Sequence, residues 1–216
     1  ISMDNPPTLI YPSSFNVYYG LHGTYNEQSP LSPTSEYGWT KASVEMLYMA
    51  MHKQYGIPVI ITTVGSEFGK KMRTDELVAR LILDMIDIKK NNKKRLIQLR
   101  SPLSRRLWGY AMDIMPAYLK IIRNRHEFDG MRLFLAGNKG DKIVSNTELT
   151  YIIADLMGLP DLDVVGTDYE PGELVDGKPV DFNMDATFTR QLLQWKPAHT
   201  LEEGLAEVIE YFTEVY

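Results

Sequence analysis

Three side chains near the N-terminus have the types and order for proton exchange with a substrate hydroxyl: Ser14, Tyr37 and Lys41. Tyr37 and Lys41 stand four residues apart, a spacing that stacks two side chains on one face of a helix. An ammonium beside a phenol favours the phenolate, the form that accepts a proton from an alcohol. Ser14 sets a hydroxyl ahead of the pair, after the short apolar run TLIY. A tyrosine with a lysine one turn later also occurs on plain helix surfaces, so the pair gains weight only from its setting.

That setting reads as follows. Thr8 to Tyr11 is a short strand that Pro12 ends. Gly20 to Thr34 is a long loop by its Gly, Pro, Ser and Asn content, in which His22 and Glu27 read as solvated. A helix runs from about Ser35 to Gln54 with Thr34 or Ser35 as N-cap. Tyr37, Lys41, Val44 and Tyr48 share one of its faces, and Trp39, Ala42, Met46 and Ala50 line the next. Pro58 to Val64 is a near-continuous apolar strand of the kind buried in a parallel sheet. A second helix spans about Thr74 to Ile88, followed by a basic run from Lys89 to Arg106 whose lysines (89, 90, 93 and 94) read as a solvated helix end. A helix from Ile114 to Asn124 follows, with Asp113 as its cap or anchor. In MRLFLAGNKGDKIVSNTEL, a strand and a turn at Gly137, Asn138 and Gly140 lead to a helix with Ser145 or Asn146 at its cap and Glu148 near N3. After a weakly patterned stretch from Pro160 to Asp185, Trp195 packs, and Thr200 with Glu203 forms a capping box for the last helix.

Composition removes several classes of chemistry. The 216 residues carry a net charge of -5 with 44% hydrophobic residues, which suits a globular protein and not a nucleic-acid binder. With no cysteine, thiolate nucleophiles and cysteine-built metal sites are excluded, and four scattered histidines predict no metal centre. No apolar run is long enough to span a membrane and no signal-like segment opens the chain, so the expectation is a cytoplasmic protein.

The order of a strand ending in Ser13-Ser14, then Val17-Tyr18, a Pro-rich loop and Tyr37-x-x-x-Lys41 opening a helix resembles the extended short-chain dehydrogenase/reductase family, the NAD-dependent nucleotide-sugar epimerases and dehydratases. RLWGYAMD from Arg106 to Asp113, VSNTEL, and the closing QWKP and TLEEGL follow that family's order too. The resemblance implies an α/β fold: a partial Rossmann-like parallel sheet with a small C-terminal α/β substrate-binding region. Residues 1–70 would be the remaining part of the dinucleotide-binding domain and 71–216 mainly the substrate region, returning one strand and helix to the sheet. It implies Tyr37 as acid/base, Ser14 on the reacting oxygen and Lys41 on the nicotinamide ribose. Thr63 and Ser66 fall where the family has an arginine and an asparagine, and Val64 falls where relatives place an aromatic near the nicotinamide amide. Tyr37, Lys41, Thr63 and Val64 are thus assigned to the cofactor, an NAD or NADP. Asn16, Ser66, Arg106 and Tyr169 are assigned to the substrate, Arg106 as a pyrophosphate clamp and Tyr169 as a base-stacking ring. Leu135 stands where an asparagine is common, which favours packing.

Departures from the family narrow the expectation. Phe15 and Asn16 occupy the places where dehydratases carry an Asp-Glu pair, and no cysteine is available for the fucose-type branch, which leaves hydride transfer at a sugar carbinol. No G-x-G-x-x-G occurs, so the glycine-rich first half of the cofactor domain is expected to be missing. Two readings follow: an oxidoreductase or epimerase completed as a homodimer or by a partner chain that supplies the missing strands, or a non-catalytic nucleotide-sugar-binding protein.

Overall fold

The computed structural model describes residues 6–21, 23–168, 174–175, 178–179 and 181–216. Its centre is a three-stranded parallel sheet in the order β1-β3-β7, formed by β1 (Leu9–Ser14), β3 (Val59–Val64) and β7 (Arg132–Leu135). β3 pairs with a parallel neighbour on each edge, and its run VIITT is buried because helices cover both faces of the sheet. Here one expectation is corrected: Pro12 does not end β1 but lies within it, paired with Thr62. Among the described residues β1 is an edge strand, where the missing proline N–H leaves no ladder bond unmade.

Helix α1 (Glu36–Tyr55) covers one face of this sheet. Ser35 caps it, accepting from Gly38 N, and Gly56 ends it at φ 66°. A side chain at Gly38 would come 2.7 Å from the Asn16 carbonyl oxygen, so glycine there is what lets the first turn of α1 close onto the 3₁₀ turn Phe15–Tyr18. Helix α3 (Ala111–Arg123) covers the other face with Ile114, Ala117 and Ile121 against Ile60, Leu133 and Leu135.

A second, mixed sheet has the order β2-β12-β6-β4, from β2 (Gly23–Tyr25), β4 (Ser66–Phe68), β6 (Arg105–Tyr110) and β12 (Asp181–Met184), with β8 (Ile143–Ser145) antiparallel to β6. The predicted 20–34 loop therefore contains a strand. Glu27 is also not solvated: it is buried and accepts from Thr189 Oγ1 at 2.6 Å, because the loop folds under α5 (Thr187–Leu193). β5 (Leu96–Arg100) and β9 (Asp163–Asp168) pair in parallel, and β10 (Leu174–Val175) pairs with β11 (Lys178–Pro179). A separate core joins α2 (Leu77–Asn91), α4 (Asn146–Leu156) and α6 (Leu201–Val215). Capping boxes at Ser145/Glu148 and Thr200/Glu203 start α4 and α6. Helix α2 starts three residues later than expected, after Arg73 pairs with Asp75 in the preceding turn. Its basic end is tied down, with Lys89 on the Met157 carbonyl and Lys93 on Asp87.

On α3, Met112, Met115, Leu119 and Ile122 are exposed, as are Trp39, Met46 and Leu47 on α1. No helix among the described residues is long and apolar enough to cross a membrane.

Candidate active-site cleft

Ser14 and Val64 are the last residues of adjacent parallel strands and are paired in register. Ligands of open α/β sheets bind outside such C-terminal strand ends. A cleft of about 670 Å³ opens there, lined by Ser14, Asn16, Tyr37, Val64, Ser66 and Arg106 among others. Six side chains singled out from the sequence are thus gathered in one place.

Ser14 is buried, and its Oγ accepts from Asn16 N at 3.3 Å and Asn16 Nδ2 at 3.1 Å. Both of these contacts use the oxygen as acceptor, which leaves its O–H to be donated. Asn16 lines the cleft while its amide orients Ser14. Tyr37 is 54% exposed at the cleft wall. Lys41 reaches back: its Nζ donates to the Pro12 carbonyl at 2.8 Å and lies 5.8 Å from the centre of the Tyr37 ring. A cation over a ring is attracted by its π face, so Lys41 links the strand before Ser14 to the ring of Tyr37.

Arg106 donates from Nε to Ser104 Oγ at 3.2 Å and from Nη2 to Tyr19 OH at 3.3 Å, with its guanidinium 5.9 Å from the Phe15 ring. Asp113, seven residues on, lies inside the first turn of α3 and does not precede it. Its buried carboxylate accepts from His199 N at 3.1 Å and meets His199 Nδ1 at 2.8 Å, while Trp195 Nε1 donates to its carbonyl.

Thr63 is not brought to the cleft. It is fully buried, in register with Ser13 on the α1 face of the sheet, because strand alternation turns Val64 one way and Thr63 the other. Leu135 is core. Tyr169 and His22 lie outside the described residues.

Sequence reasoning passed over Glu67, Trp108, Lys71 and Arg73, which also line the cleft. The available signal for Glu67 was an acidic residue in the short segment Gly65-Ser66-Glu67-Phe68-Gly69. Burial pushes its carboxyl well above the ordinary carboxylate range, and the Asp113 charge adds to this. A carboxyl that binds its proton more tightly folded than unfolded lowers stability as pH rises from the unfolded value through the folded one. Glu67→Gln, which cannot ionise, is therefore expected to gain stability over wild type as pH rises from about 4 toward neutrality. Urea unfolding of both proteins at stepped pH measures this, and a constant difference across that window would refute it.

The sequence matches the model of the GDP-mannose 4,6 dehydratase family over residues 3–208. It is 26% identical over 209 residues to dTDP-glucose 4,6-dehydratase of Streptomyces griseus, covering 95% of this chain and 58% of that one. Its fold matches that of dTDP-glucose 4,6-dehydratase from Bacillus anthracis, solved in complex with NAD, with a TM-score of 0.79 at 23% identity, over 96% of this chain and 62% of the other. UDP-glucuronic acid 4-epimerase from Bacillus cereus, solved with UDP-glucuronic acid and NAD, superposes with a TM-score of 0.81 at 23% identity and the same coverage. The chain spans 58 to 61% of the length of the curated relatives it matches first.

Proposed function

The chain belongs to the GDP-mannose 4,6 dehydratase family, and from that premise we propose that it acts on a nucleotide sugar by NAD(P)-dependent hydride transfer at a sugar carbinol. The observation that carries this reading is the meeting of Ser14, Tyr37 and Arg106 in one cleft at the ends of β1 and β3. Tyr37 acts as the acid/base that exchanges the proton of the carbinol O–H. Ser14 donates its free O–H to the same oxygen, steadying it as it becomes a carbonyl. A bound nicotinamide supplies the acceptor for the hydride that leaves the carbon. With a nicotinamide held there, Tyr37 would take up the carbinol proton on oxidation and give it back on reduction from the opposite face, which would yield an epimer; a keto sugar released before that would be the product of oxidation alone.

Lys41 and Val64 stand on the cofactor side of this reading. The orphaned carboxyl of Glu67 behind Gly65 is an observation of the cleft that fits a polar, uncharged group there. Thr63 drops out of the cofactor set because it is sealed under α1. No glycine-rich turn opening onto a helix occurs in the sequence, so the dinucleotide phosphates find no such cradle in these residues. The exposed apolar rows on α1 and α3, with the edge strand β1, suit cover by further strands and helices or by a second copy.

Arg106 lies where a guanidinium fork can take the paired oxygens of the substrate pyrophosphate. Arg106→Ala is expected to weaken nucleotide-sugar binding by about 2–3 kcal/mol, the cost of truncating a desolvated charged partner. Calorimetry with UDP-, dTDP- and GDP-sugars tests this, and equal affinities would remove the clamp. The same titrations extended to NAD and NADP separate the enzyme from a binding-only protein, which would take the nucleotide sugar and neither cofactor.

A further inference from the structure

Glu67 is built into the cleft wall, and its carboxyl has no partner among the described residues. It lies mid-strand in β4, in register with Gly109 of β6. Gly109 makes room for it, since a Cβ there would come 2.5 Å from Glu67 Oε2. On the other flank Oε1 lies behind Gly65, 3.6 Å from where a Cβ would stand. Gly65 and Glu67 both line the cleft. Both carboxyl oxygens are closed to solvent and have no hydrogen-bond partner among the described residues. Trp108, another lining residue, likewise has its indole N–H buried and unpartnered. Buried polar groups in native proteins are overwhelmingly paired, and each orphan carries a desolvation cost. Two orphans on the wall of one cleft place that cost where a ligand can relieve it.

The partner chemistry follows from the group. Burial, with the Asp113 charge adding to it, raises the Glu67 carboxyl well above the ordinary carboxylate range and so favours its protonated form. It then presents an O–H donor and a C=O acceptor side by side. Its complement is an uncharged group with the reverse pair: a primary carboxamide or two neighbouring hydroxyls. Resting on the reading of the cleft given above, we infer that the Glu67 carboxyl is a specificity-determining ligand contact that receives, at Gly65, either the nicotinamide carboxamide or neighbouring sugar hydroxyls.

The test is calorimetric, on the full chain, with NAD and with UDP-glucose and dTDP-glucose as probes. Glu67→Met keeps the unbranched shape and removes both polar atoms, so affinity for at least one probe class falls about tenfold, the worth of one desolvated hydrogen bond. Glu67→Gln keeps a donor beside an acceptor and stays within about threefold of wild type. If the methionine variant does not fold, Glu67→Ala, which empties the slot, replaces it. A loss confined to NAD assigns the carboxamide, a loss confined to the sugar nucleotides assigns the hydroxyls, and a loss on both assigns a contact shared by the two. Unchanged affinity for every probe, or a glutamine variant as weak as the methionine one, overturns the inference. Loss of sugar-nucleotide binding in Arg106→Ala beside unchanged affinity for every probe in Glu67→Met overturns this inference alone, whereas wild-type protein that binds no probe overturns the reading of the cleft together with it.

Discussion

Arg132→Met is expected to cost the fold about 3–5 kcal/mol, because it strands a carboxylate that has no access to water. Glu45 lies on α1 with a side chain that is 0% exposed, and its partner Arg132 on β7 is 27% exposed. The Arg132 guanidinium donates to one carboxylate oxygen, and Ser13 Oγ donates to the other at 2.9 Å. Removing the arginine leaves one neutral hydroxyl to hold a buried charge. The pair spans α1, β1 and β7 directly behind Ser14, so the lost stability falls on the elements that place the cleft. Replacing both members, as in Glu45→Leu with Arg132→Met, removes the stranded charge and is expected to recover most of the loss. Urea denaturation of the two single variants and the double variant measures the coupling. A double variant whose loss equals the sum of the singles would show that the two side chains act independently.

Tyr37→Phe is the second large effect, and it falls on turnover. On the proposed function, deleting the phenolic oxygen removes the group assigned to exchange the carbinol proton, so kcat is expected to drop about 10²- to 10⁴-fold. Tyr37 is more than half exposed, and its hydroxyl holds no element of the fold together. Unfolding stability should therefore move by no more than about 0.5 kcal/mol, and calorimetric affinity for the nucleotide sugar should stay near wild type. Turnover retained within a few-fold would take the proton transfer away from Tyr37. A large fall in stability would instead show the phenol to be a structural group.

What was legible from the sequence is what depends on near neighbours in the chain. The start of α1 at Thr34 or Ser35, that of α4 at Ser145 or Asn146 with Glu148 near N3, the capping box at Thr200/Glu203 and the buried run before Val64 all follow from residues within about one turn or one strand of each other, and the structure selects Ser35 and Ser145 as the caps. The turn at Gly137 and Gly140 belongs here too, since both adopt the positive φ that glycine permits. Burial of Trp195 was legible from its motif, although the carbonyl it donates to, on Asp113, was not.

The misses share a long reach. Pro12 ends strands in general, and only the edge position of β1 lets it stay in one. Glu27 reads as solvated until α5, more than 150 residues later, supplies the Thr189 hydroxyl and amide that bury it. Thr63 and Val64 look equivalent in a strand whose residues do not alternate between polar and apolar, so the sequence carries no signal to say which side chain faces the cleft. Asp113 finds its histidine 86 residues away.

The sequence by itself therefore determined the chemistry available: a serine hydroxyl, a tyrosine and a lysine one helical turn apart, an arginine at motif spacing, and no cysteine. These depend on residue type and local spacing, which folding does not alter. Only the tertiary structure decided which of these groups share a cleft and in what state they meet there. Strand register set Ser14 beside Val64, the missing side chain of Gly38 let Tyr37 close on the Ser14 turn, and Gly109 opened a slot in which Glu67 is buried without a partner. Burial and pairing are properties of what packs around a group, and for each of these residues the packing comes from chain distant in sequence.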